Sequence, residues 1–461
     1  MNMSAKPLMG GHEHWSSRFT FFLAALGVSV GLGNIWRFPY MTGENGGGAF
    51  ILIYLACAFG IGVPLLIAEL SIGRRGGLSP IGSMRKLAIE SGASPLWGGV
   101  GVLAMLALFL VLTFYMVVTG WTLDYFIQAL NGNFSGISKE DSKSLFDGLM
   151  ANPLRLAFWQ GLAIILVVFT VARGIKEGLE RAVKILMPLL FICLLFLVVY
   201  ACITGDFATT FDFMIRPDFS KVTPNVVLAA IGQAFFSIGI AFAAMMTFGA
   251  YLDPGASIPK SAVLLVAGDT FVALLAGFAV FPLVFAHGLE PSSGPGLVFE
   301  TLPLAFGQMQ LGGLVGAVFF LLLMVAALTS CIGSFEPMLC WARERWGMSR
   351  ARAAIISGLI IWVLGLSTVF SLNILKDFHP LNIIPTFAGK TIFDIQEFVA
   401  TNVFLVLGGL LMSVFAGWVM SEEILRKAFG LSDGVIFRYL RLVLRYVAPV
   451  ALFMVLVMGL T

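Results

Sequence analysis

The sequence has little charge for its length. Asp, Glu, Lys and Arg together make up 11% of its 461 residues, whereas hydrophobic residues make up 59%. The mean hydropathy is +0.96. A soluble domain does not tolerate such a composition, because its surface needs far more charged side chains. We therefore predict a polytopic membrane protein of the all-α class.

Cysteine and histidine are also scarce, and neither forms a pattern typical of a metal site. The five cysteines lie in or beside apolar runs, and the four histidines are scattered along the chain. The sequence contains no CxxC or HExxH motif. These absences argue against an enzyme, and we expect no cofactor. An apolar span follows the polar N-terminal tail directly, so we expect no cleavable signal peptide.

Long apolar runs are what the sequence has instead. A helix needs about 20 apolar residues to cross a bilayer, and eleven runs qualify as candidate spans. In chain order, spans one to eleven are residues 18–40, 48–72, 97–130, 157–173, 180–204, 226–252, 258–287, 311–341, 353–372, 396–420 and 440–460.

The distribution of Lys and Arg predicts the orientation. Most of the 28 Lys and Arg residues fall on one side of the membrane if the N-terminus is cytoplasmic, as the positive-inside rule requires. Eleven spans then put the C-terminus outside. The longer outer connections are residues 131–156, 205–225, 288–310 and 373–395. The last two, which mix Gly, Pro and Ser with apolar residues, either cap an extracellular vestibule or serve as solvated connectors.

The stretch GVSVGLGNIWRFPYMTGENGGG, residues 27–48, interrupts span one. Gly27, Gly31 and Gly33 fall within seven residues, and each glycine in mid-helix costs roughly 1 kcal/mol against alanine. Asn34 and Arg37 follow at membrane depth, where a polar residue marks a functional site by default. We predict a helix that is broken to offer backbone N–H and C=O groups to a ligand. A kinked, glycine-packed structural helix is the alternative.

Span six carries a second interruption, because Gln233, Ser237 and Gly239 fall in the middle of its apolar run. Two broken spans in corresponding positions of two halves are typical of a transporter built from inverted repeats.

Three more polar residues lie at membrane depth, namely Asp269 in span seven and Thr329 and Ser330 in span eight. A lone carboxylate there costs ~2.5–3.5 kcal/mol on insertion scales, so it needs a cation, a proton or a donor network. The two hydroxyls either pack helices or bind a ligand. Together with Asn34 and Ser237 they form an oxygen-rich set, which suits Na⁺ better than a soft metal.

The motifs GLGNIWRFPY, ENGGGAF, GQAFFS and LTS resemble the neurotransmitter:sodium symporter family, and the likeness covers about residues 14–455. Eleven spans with short termini resemble its bacterial amino-acid branch. The resemblance implies a LeuT-type fold, an inverted five-plus-five repeat with helices 1 and 6 unwound at mid-membrane. Residues 1–461 would form one transporter domain, with repeats at about 15–204 and 226–420 and an extra helix at about 440–460.

The resemblance also implies two Na⁺ ions and an amino acid as co-transported ligands. The first Na⁺ would be held by the Ser29 carbonyl, Asn34, Ser237, Asp269 and the substrate carboxylate. The second would be held by the carbonyls of Gly27, Val30 and Ala326 and the hydroxyls of Thr329 and Ser330. The substrate would contact Ser29, Leu32, Gly33, Val111, Tyr115, Phe236, Ser237, Gly239, Phe242, Ser330 and Ser334. Its carboxylate would sit on the N–H groups of Leu32 and Gly33 and on the Tyr115 hydroxyl.

Three positions refine this expectation. Monoamine carriers of the family have an Asp where this chain has Gly31, so an amino acid is favoured over an amine. Animal members need chloride beside the first sodium, whereas Asp269 supplies a fixed negative charge here, so we expect chloride independence. Gly239 and Ser334 are small, which suggests room for a large apolar or aromatic side chain.

The family also implies gates on both sides of the site. Outside, Arg37 would pair with Glu397, or alternatively with Asp394, and Tyr115 and Phe236 would close over the substrate.

Inside, a carboxylate of span eight and a Tyr of span six match Glu344 and Tyr251. The N-terminal Arg of the family is replaced by His12, which predicts a weaker, pH-sensitive latch because His titrates near 6.5.

These observations predict a Na⁺-coupled L-amino-acid symporter of the plasma (inner) membrane that works by alternating access. Its partners would be a small-molecule substrate, Na⁺ and the lipid bilayer, with no nucleic acid. A proton-coupled transporter that uses Asp269 and a receptor that binds the amino acid without moving it are the alternatives.

Overall fold

The computed structural model describes residues 14–288 and 296–460, and the regular structure of these residues is helical. Nine of the described helices are long and apolar enough to cross a membrane. They are Gly48–Gly76, Pro95–Leu130, Pro153–Ala172, Ile175–Thr204, Ile258–Ala286, Gly312–Trp346, Arg350–Ser371, Ile392–Val419 and Val435–Leu460. They correspond to predicted spans two to five and seven to eleven.

The two remaining predicted spans are each divided into two helices. Span one consists of Arg18–Ser29 and Gly33–Glu44, which are bent by 54° at the break between them. Span six consists of Pro224–Ile238 and Ala244–Ala250, separated by residues 239–243. The two interruptions predicted from the sequence are therefore confirmed as breaks in the helices.

Side-chain hydroxyls fix where the two broken spans begin. Ser17 and Thr20 form a capping box, in which each backbone N–H donates to the other residue's side-chain oxygen at 3.1 Å. Thr223 caps the start of span six, because its hydroxyl accepts the Val226 N–H at 3.3 Å.

The long spans differ in how deeply they are buried. Spans three and eight lie at the centre and are buried over most of their apolar length, whereas span eleven and spans four and five expose large apolar side chains at the periphery. A helix that is apolar all round suits both places in a membrane protein, since either protein or lipid covers it. The broken spans one and six belong to the centre.

The connections contain short helices, among them Pro80–Glu90, Lys139–Met150, Phe207–Ile215, Leu302–Gln308 and Glu422–Phe429. The described part of the connection between spans seven and eight is packed, since Phe299 is fully buried against Trp36 and Trp121. The connection before span ten is exposed by contrast, with Ile383 at 96%. The former connection is therefore packed against the helices and the latter is exposed, and the capping of an extracellular vestibule stays a prediction.

Candidate functional site

The breaks of spans one and six meet in the centre of the molecule. The Ser29 hydroxyl donates to the Ile238 carbonyl at 3.0 Å, and the Gln233 side-chain amide donates to the Gly33 carbonyl at 3.2 Å. Carbonyls at a helix end lack partners within the helix. The Ser29 hydroxyl thus satisfies the Ile238 carbonyl at the end of its helix, whereas the Gly33 carbonyl, at the start of its helix, also accepts the Phe38 N–H.

The break of span one is held by side chains that accept its free N–H groups. Gly31 N–H donates to the Asn34 side-chain oxygen at 3.3 Å, and Leu32 N–H donates to the Tyr115 hydroxyl at 3.0 Å. The glycines here provide space, because a Cβ on Gly31 would lie 2.6 Å from the Tyr115 hydroxyl oxygen and one on Gly33 would lie 3.0 Å from the Phe236 ring.

The break of span six has a different backbone. Gly239, Ala241 and Ala243 have φ angles of +71°, +64° and +64°, a left-handed conformation that costs roughly 1–2 kcal/mol for a residue other than glycine. Ala241 N–H donates to Glu69 Oε2 at 3.0 Å, and Glu69 is fully buried in span two.

We did not predict Glu69 as a site residue from the sequence. The signal was present, because Glu69 is the one charged residue of the run VPLLIAELSIG. An ionisable residue within a span indicates a functional site by default, and this reasoning did select Asp269.

Three side chains predicted for the first sodium site form one fully buried cluster. The Asn34 amide donates to Asp269 Oδ1 at 2.8 Å, and the Ser237 hydroxyl donates to Asp269 Oδ2 at 2.7 Å. Asn34 and Ser237 are also 3.1 Å apart. The cluster unites spans one, six and seven, and its carboxylate, hydroxyl and amide oxygens are ligands suited to a hard cation.

The residues predicted for the second sodium site lie where span eight packs against the inner half of span one. The Ser330 hydroxyl donates to the Val28 carbonyl at 2.9 Å, and the Thr329 hydroxyl donates to the Ala326 carbonyl at 3.0 Å. A Cβ on Gly27 would lie 3.4 Å from Thr329 Cβ. The two hydroxyls therefore adjoin the backbone that ends at the break.

A cavity lies between the two breaks and spans three and eight. The predicted residues that line it are Ser29, Gly33, Val111, Tyr115, Phe236, Gly239, Phe242, Ser330 and Ser334. Two further predicted residues, Leu32 and Ser237, do not line it. The Leu32 N–H donates to the Tyr115 hydroxyl, and Ser237 belongs to the cluster around Asp269.

Leu108, Leu112 and Cys331 also line the cavity, although we did not predict them. Helical spacing could have found the two leucines, because residues three apart share a face. Leu108 is three residues before Val111, and Leu112 is three residues before Tyr115.

Around the predicted outer gate, the guanidinium carbon of Arg37 lies 4.5 Å from the centre of the Phe236 ring, a cation–π contact. Glu397 is near enough to interact with the charge of Arg37. The salt bridges of the described residues do not include this pair. Asp394, the alternative partner, caps its own helix instead, since it accepts the Thr391 N–H at 2.8 Å.

At the predicted inner gate, the structure gives Tyr251 a carboxylate that we did not predict. The Tyr251 hydroxyl donates to Glu336 Oε1 at 3.0 Å, and Arg350 donates to the same oxygen at 2.9 Å. Glu344 accepts the Ser79 N–H at 2.6 Å. The predicted third member of this gate, His12, lies outside the described residues, so the role of Glu344 stays a prediction.

Trp15 fixes the segment before span one to the inner half of span six. Its indole N–H donates to the Phe248 carbonyl at 3.1 Å. Its ring packs edge-on against Phe248 and Tyr251, with centroids 5.0 and 6.4 Å apart.

Comparison with known proteins identifies the family. The model of the sodium:neurotransmitter symporter family matches residues 12–141 and 145–461. The uncharacterized sodium-dependent transporter YhdH of Bacillus subtilis is 36% identical over 444 residues, which are 96% of each chain. An uncharacterized sodium-dependent transporter of Haemophilus influenzae is 34% identical over 418 residues, covering 89% of this chain and 90% of its own.

A solved structure confirms the predicted LeuT-type fold. The crystal structure of MhsT in complex with L-phenylalanine matches with a TM-score of 0.88 and 40% sequence identity, over 97% of this chain and 100% of the MhsT chain. Its fold and the family match agree with the helices, the breaks and the central cavity described above. The chain therefore belongs to the sodium:neurotransmitter symporter family and is a multi-pass membrane transporter, not an enzyme, that couples a small-molecule substrate to Na⁺.

Proposed function

We propose that this protein imports an L-amino acid with a large apolar or aromatic side chain, together with Na⁺ and without chloride, by alternating access. One observation carries the proposal. The buried cluster of Asn34, Ser237 and Asp269 adjoins a cavity at which Leu32 N–H meets the Tyr115 hydroxyl. A Na⁺ site beside donors for an anion fits a substrate that carries a carboxylate. The L-phenylalanine bound to MhsT supports the same class of ligand.

The room at Gly31 favours a substrate that brings its own carboxylate. A side chain at this position would meet the Tyr115 hydroxyl at 2.6 Å and the Ser330 hydroxyl at 3.2 Å. It would therefore fill the space beside the proposed carboxylate donors. With glycine there, the substrate carboxylate takes that space and becomes a ligand of the first Na⁺.

This shared ligand couples the two binding events. Because the substrate carboxylate completes the first Na⁺ site, each ligand raises the affinity of the other by the same factor. Inward movement of Na⁺ supplies the work of transport, since one elementary charge crossing 100 mV releases ~2.3 kcal/mol.

The first experiment is equilibrium binding of the twenty L-amino acids to the purified protein in NaCl and in KCl. We expect binding in NaCl but not in KCl, and we expect it only for L-amino acids with large apolar or aromatic side chains. Binding that ignores Na⁺ would refute the coupling. Uptake into vesicles that is driven by a pH step and is insensitive to Na⁺ would favour proton coupling through Asp269. Binding without any accumulation in vesicles would indicate a receptor.

The second Na⁺ site is tested by the double variant Thr329→Val with Ser330→Ala. The variant removes two of the five proposed ligands, and a lost bond to a charged group weakens binding by about 10- to 100-fold. The readout is the Na⁺ concentration that supports half-maximal substrate binding. Ser413→Ala is the matched control, since this buried hydroxyl donates to the Leu410 carbonyl of its own helix. An unchanged Na⁺ affinity in the double variant would refute the site.

Chloride independence is tested by Asp269→Asn, which removes the fixed negative charge. We expect wild-type uptake to be the same in chloride and gluconate. The variant should either require chloride or lose transport, because a Na⁺ bound in the membrane needs a nearby anion. Uptake by the variant that matches the wild type in both salts would refute the role of Asp269.

The proposal retains the gates and the organisation predicted from the sequence. Arg37 with Glu397 forms the outer pair, and Tyr251 with Glu344 belongs to the inner gate. The repeats cover residues of about 15–204 and 226–420, the N-terminus is cytoplasmic and the C-terminus lies outside.

A further inference from the structure

One hydroxyl of the cavity has no hydrogen-bond partner in the part of the chain that the structure describes. The Ser29 and Ser330 hydroxyls donate to the Ile238 and Val28 carbonyls, and the Tyr115 hydroxyl accepts the Leu32 N–H. Ser334 also lines the cavity and is only 8% exposed. Among the described residues, however, no hydrogen bond to its hydroxyl is formed.

Ser334 lies deeper in the cavity than the groups proposed to bind the amino-acid end of the substrate. Gly31 approaches both Tyr115 and Ser330, so these two residues stand at one level. Spans three and eight run in opposite directions, because four crossings, an even number, lie between them. Moving from Ser330 to Ser334 and from Tyr115 to Leu108 therefore leads the same way along the cavity. The step from Ser330 to Ser334 is about 6 Å at the helical rise.

On this side of Tyr115, the residues of span three that line the cavity are apolar, namely Leu108, Val111 and Leu112. A side chain that fills the space excludes water from the Ser334 hydroxyl. An apolar side chain then leaves the hydroxyl unpaired, whereas a side chain with a polar group at its far end pairs with it.

We propose that Ser334 is a specificity-determining residue, and that the preferred substrates are aromatic amino acids whose ring carries a hydrogen-bonding group. The phenol of tyrosine and the indole of tryptophan meet this description, and the ring of phenylalanine does not. The inference rests on the proposed amino-acid site and names the side chain that this site takes.

The experiment measures equilibrium binding of L-phenylalanine, L-tyrosine and L-tryptophan to the purified full-length protein in NaCl and in KCl. Wild type, Ser334→Ala and Ser334→Thr are compared, and Ser413→Ala serves as the control outside the cavity. We expect the wild type to bind tyrosine or tryptophan at least about fivefold more tightly than phenylalanine, which is the value of one typical hydrogen bond. Ser334→Ala should lose this preference while it still binds phenylalanine, and Ser334→Thr and Ser413→Ala should keep it.

Two results would overturn the inference. One is a wild type that binds phenylalanine at least as tightly as tyrosine and tryptophan. The other is a Ser334→Ala variant that keeps the wild-type preference. Na⁺-dependent phenylalanine binding in either case leaves the proposed function intact, whereas binding of all three amino acids that is equal in NaCl and KCl refutes the proposed function itself. Na⁺-dependent binding of phenylalanine by Ser334→Ala also shows that this variant is folded, and Ser334→Thr gives a second reading if it is not.

Discussion

Span one is broken at residues 30–32 with glycines that have ordinary backbone angles, whereas span six is broken at residues 239–243 with two alanines in the left-handed region. In span one, glycine gives Tyr115 and Phe236 room to approach the backbone. In span six, the conformation that glycine favours is forced on Ala241 and Ala243. The glycines of span one thus indicate the close approach of neighbouring side chains to the backbone, and not a left-handed backbone conformation.

The two breaks also differ in what holds them. The N–H groups of span one are accepted by Asn34 and Tyr115, which belong to the proposed ligand sites. The N–H of Ala241 is accepted by Glu69, which neither lines the cavity nor belongs to the Asp269 cluster. The free N–H groups of span one are therefore supported by proposed ligand residues, whereas the Ala241 N–H of span six is supported by a residue outside the proposed ligand sites.

The largest effect that distinguishes the breaks is expected from Glu69→Ala. The variant leaves the Ala241 N–H buried without an acceptor, which costs about 1–3 kcal/mol. Thermal unfolding of the purified protein should show the loss of stability, and Na⁺-dependent substrate binding should weaken with it. Glu69→Gln is the control, because it keeps an acceptor oxygen of similar shape and should retain most of the stability. A Glu69→Ala variant as stable as the wild type would contradict this account of span six.

A smaller and more local effect is expected from Gly31→Ala. The added methyl group would lie 2.6 Å from the Tyr115 hydroxyl oxygen, and overpacking of this kind costs typically about 1–3 kcal/mol. Substrate affinity should fall by about tenfold, with a lesser change in unfolding temperature. Gly232→Ala is the matched control in span six, since no atom lies within 4 Å of its added Cβ. Equal affinities in the two variants would mean that the glycines of span one do not provide space.

The smallest effect, and one of opposite sign, is expected from Ala241→Gly and Ala243→Gly. Glycine relieves the left-handed strain of roughly 1–2 kcal/mol per residue, and its greater freedom in the unfolded chain cancels about 0.4–1 kcal/mol of this gain. Each variant should therefore unfold at a slightly higher temperature. The reverse change, Gly239→Ala, should lower that temperature because φ is +71° there. If both Ala241→Gly and Ala243→Gly unfold at a lower temperature than the wild type, the backbone strain in this segment is contradicted.

The sequence was enough to predict the features that depend on composition along one span. Eleven apolar runs, two interruptions and the isolated Asp269 could all be predicted, because hydropathy and a buried charge are local signals. The left-handed Ala241 and Ala243 could not be predicted, since alanine has the highest helix propensity and its conformation here is imposed by neighbouring helices.

Pairs between distant spans were harder still. Glu69 could have been selected as a buried charge, but no local pattern links it to Ala241, which is 172 positions away. Tyr251 likewise donates a hydrogen bond to Glu336, and nothing in the sequence of span six indicates this partner. Such pairs follow from how the helices pack, which the sequence of either helix alone does not encode. The family likeness supplied the sodium and substrate residues, whereas hydropathy alone would have left their roles open.

The contacts of Trp15 have a mechanical consequence. Spans one and six are tied at three heights, by Trp15 on the Phe248 carbonyl, by Ser29 on the Ile238 carbonyl and by Gln233 on the Gly33 carbonyl. Because the two spans are hydrogen-bonded at their inner halves, at their breaks and at their outer halves, they move together when one of them is displaced. A displacement of the N-terminal segment at the inner surface therefore moves the inner half of span six and, through the contact between the breaks, the outer half. This coupling does not depend on either Na⁺ ion.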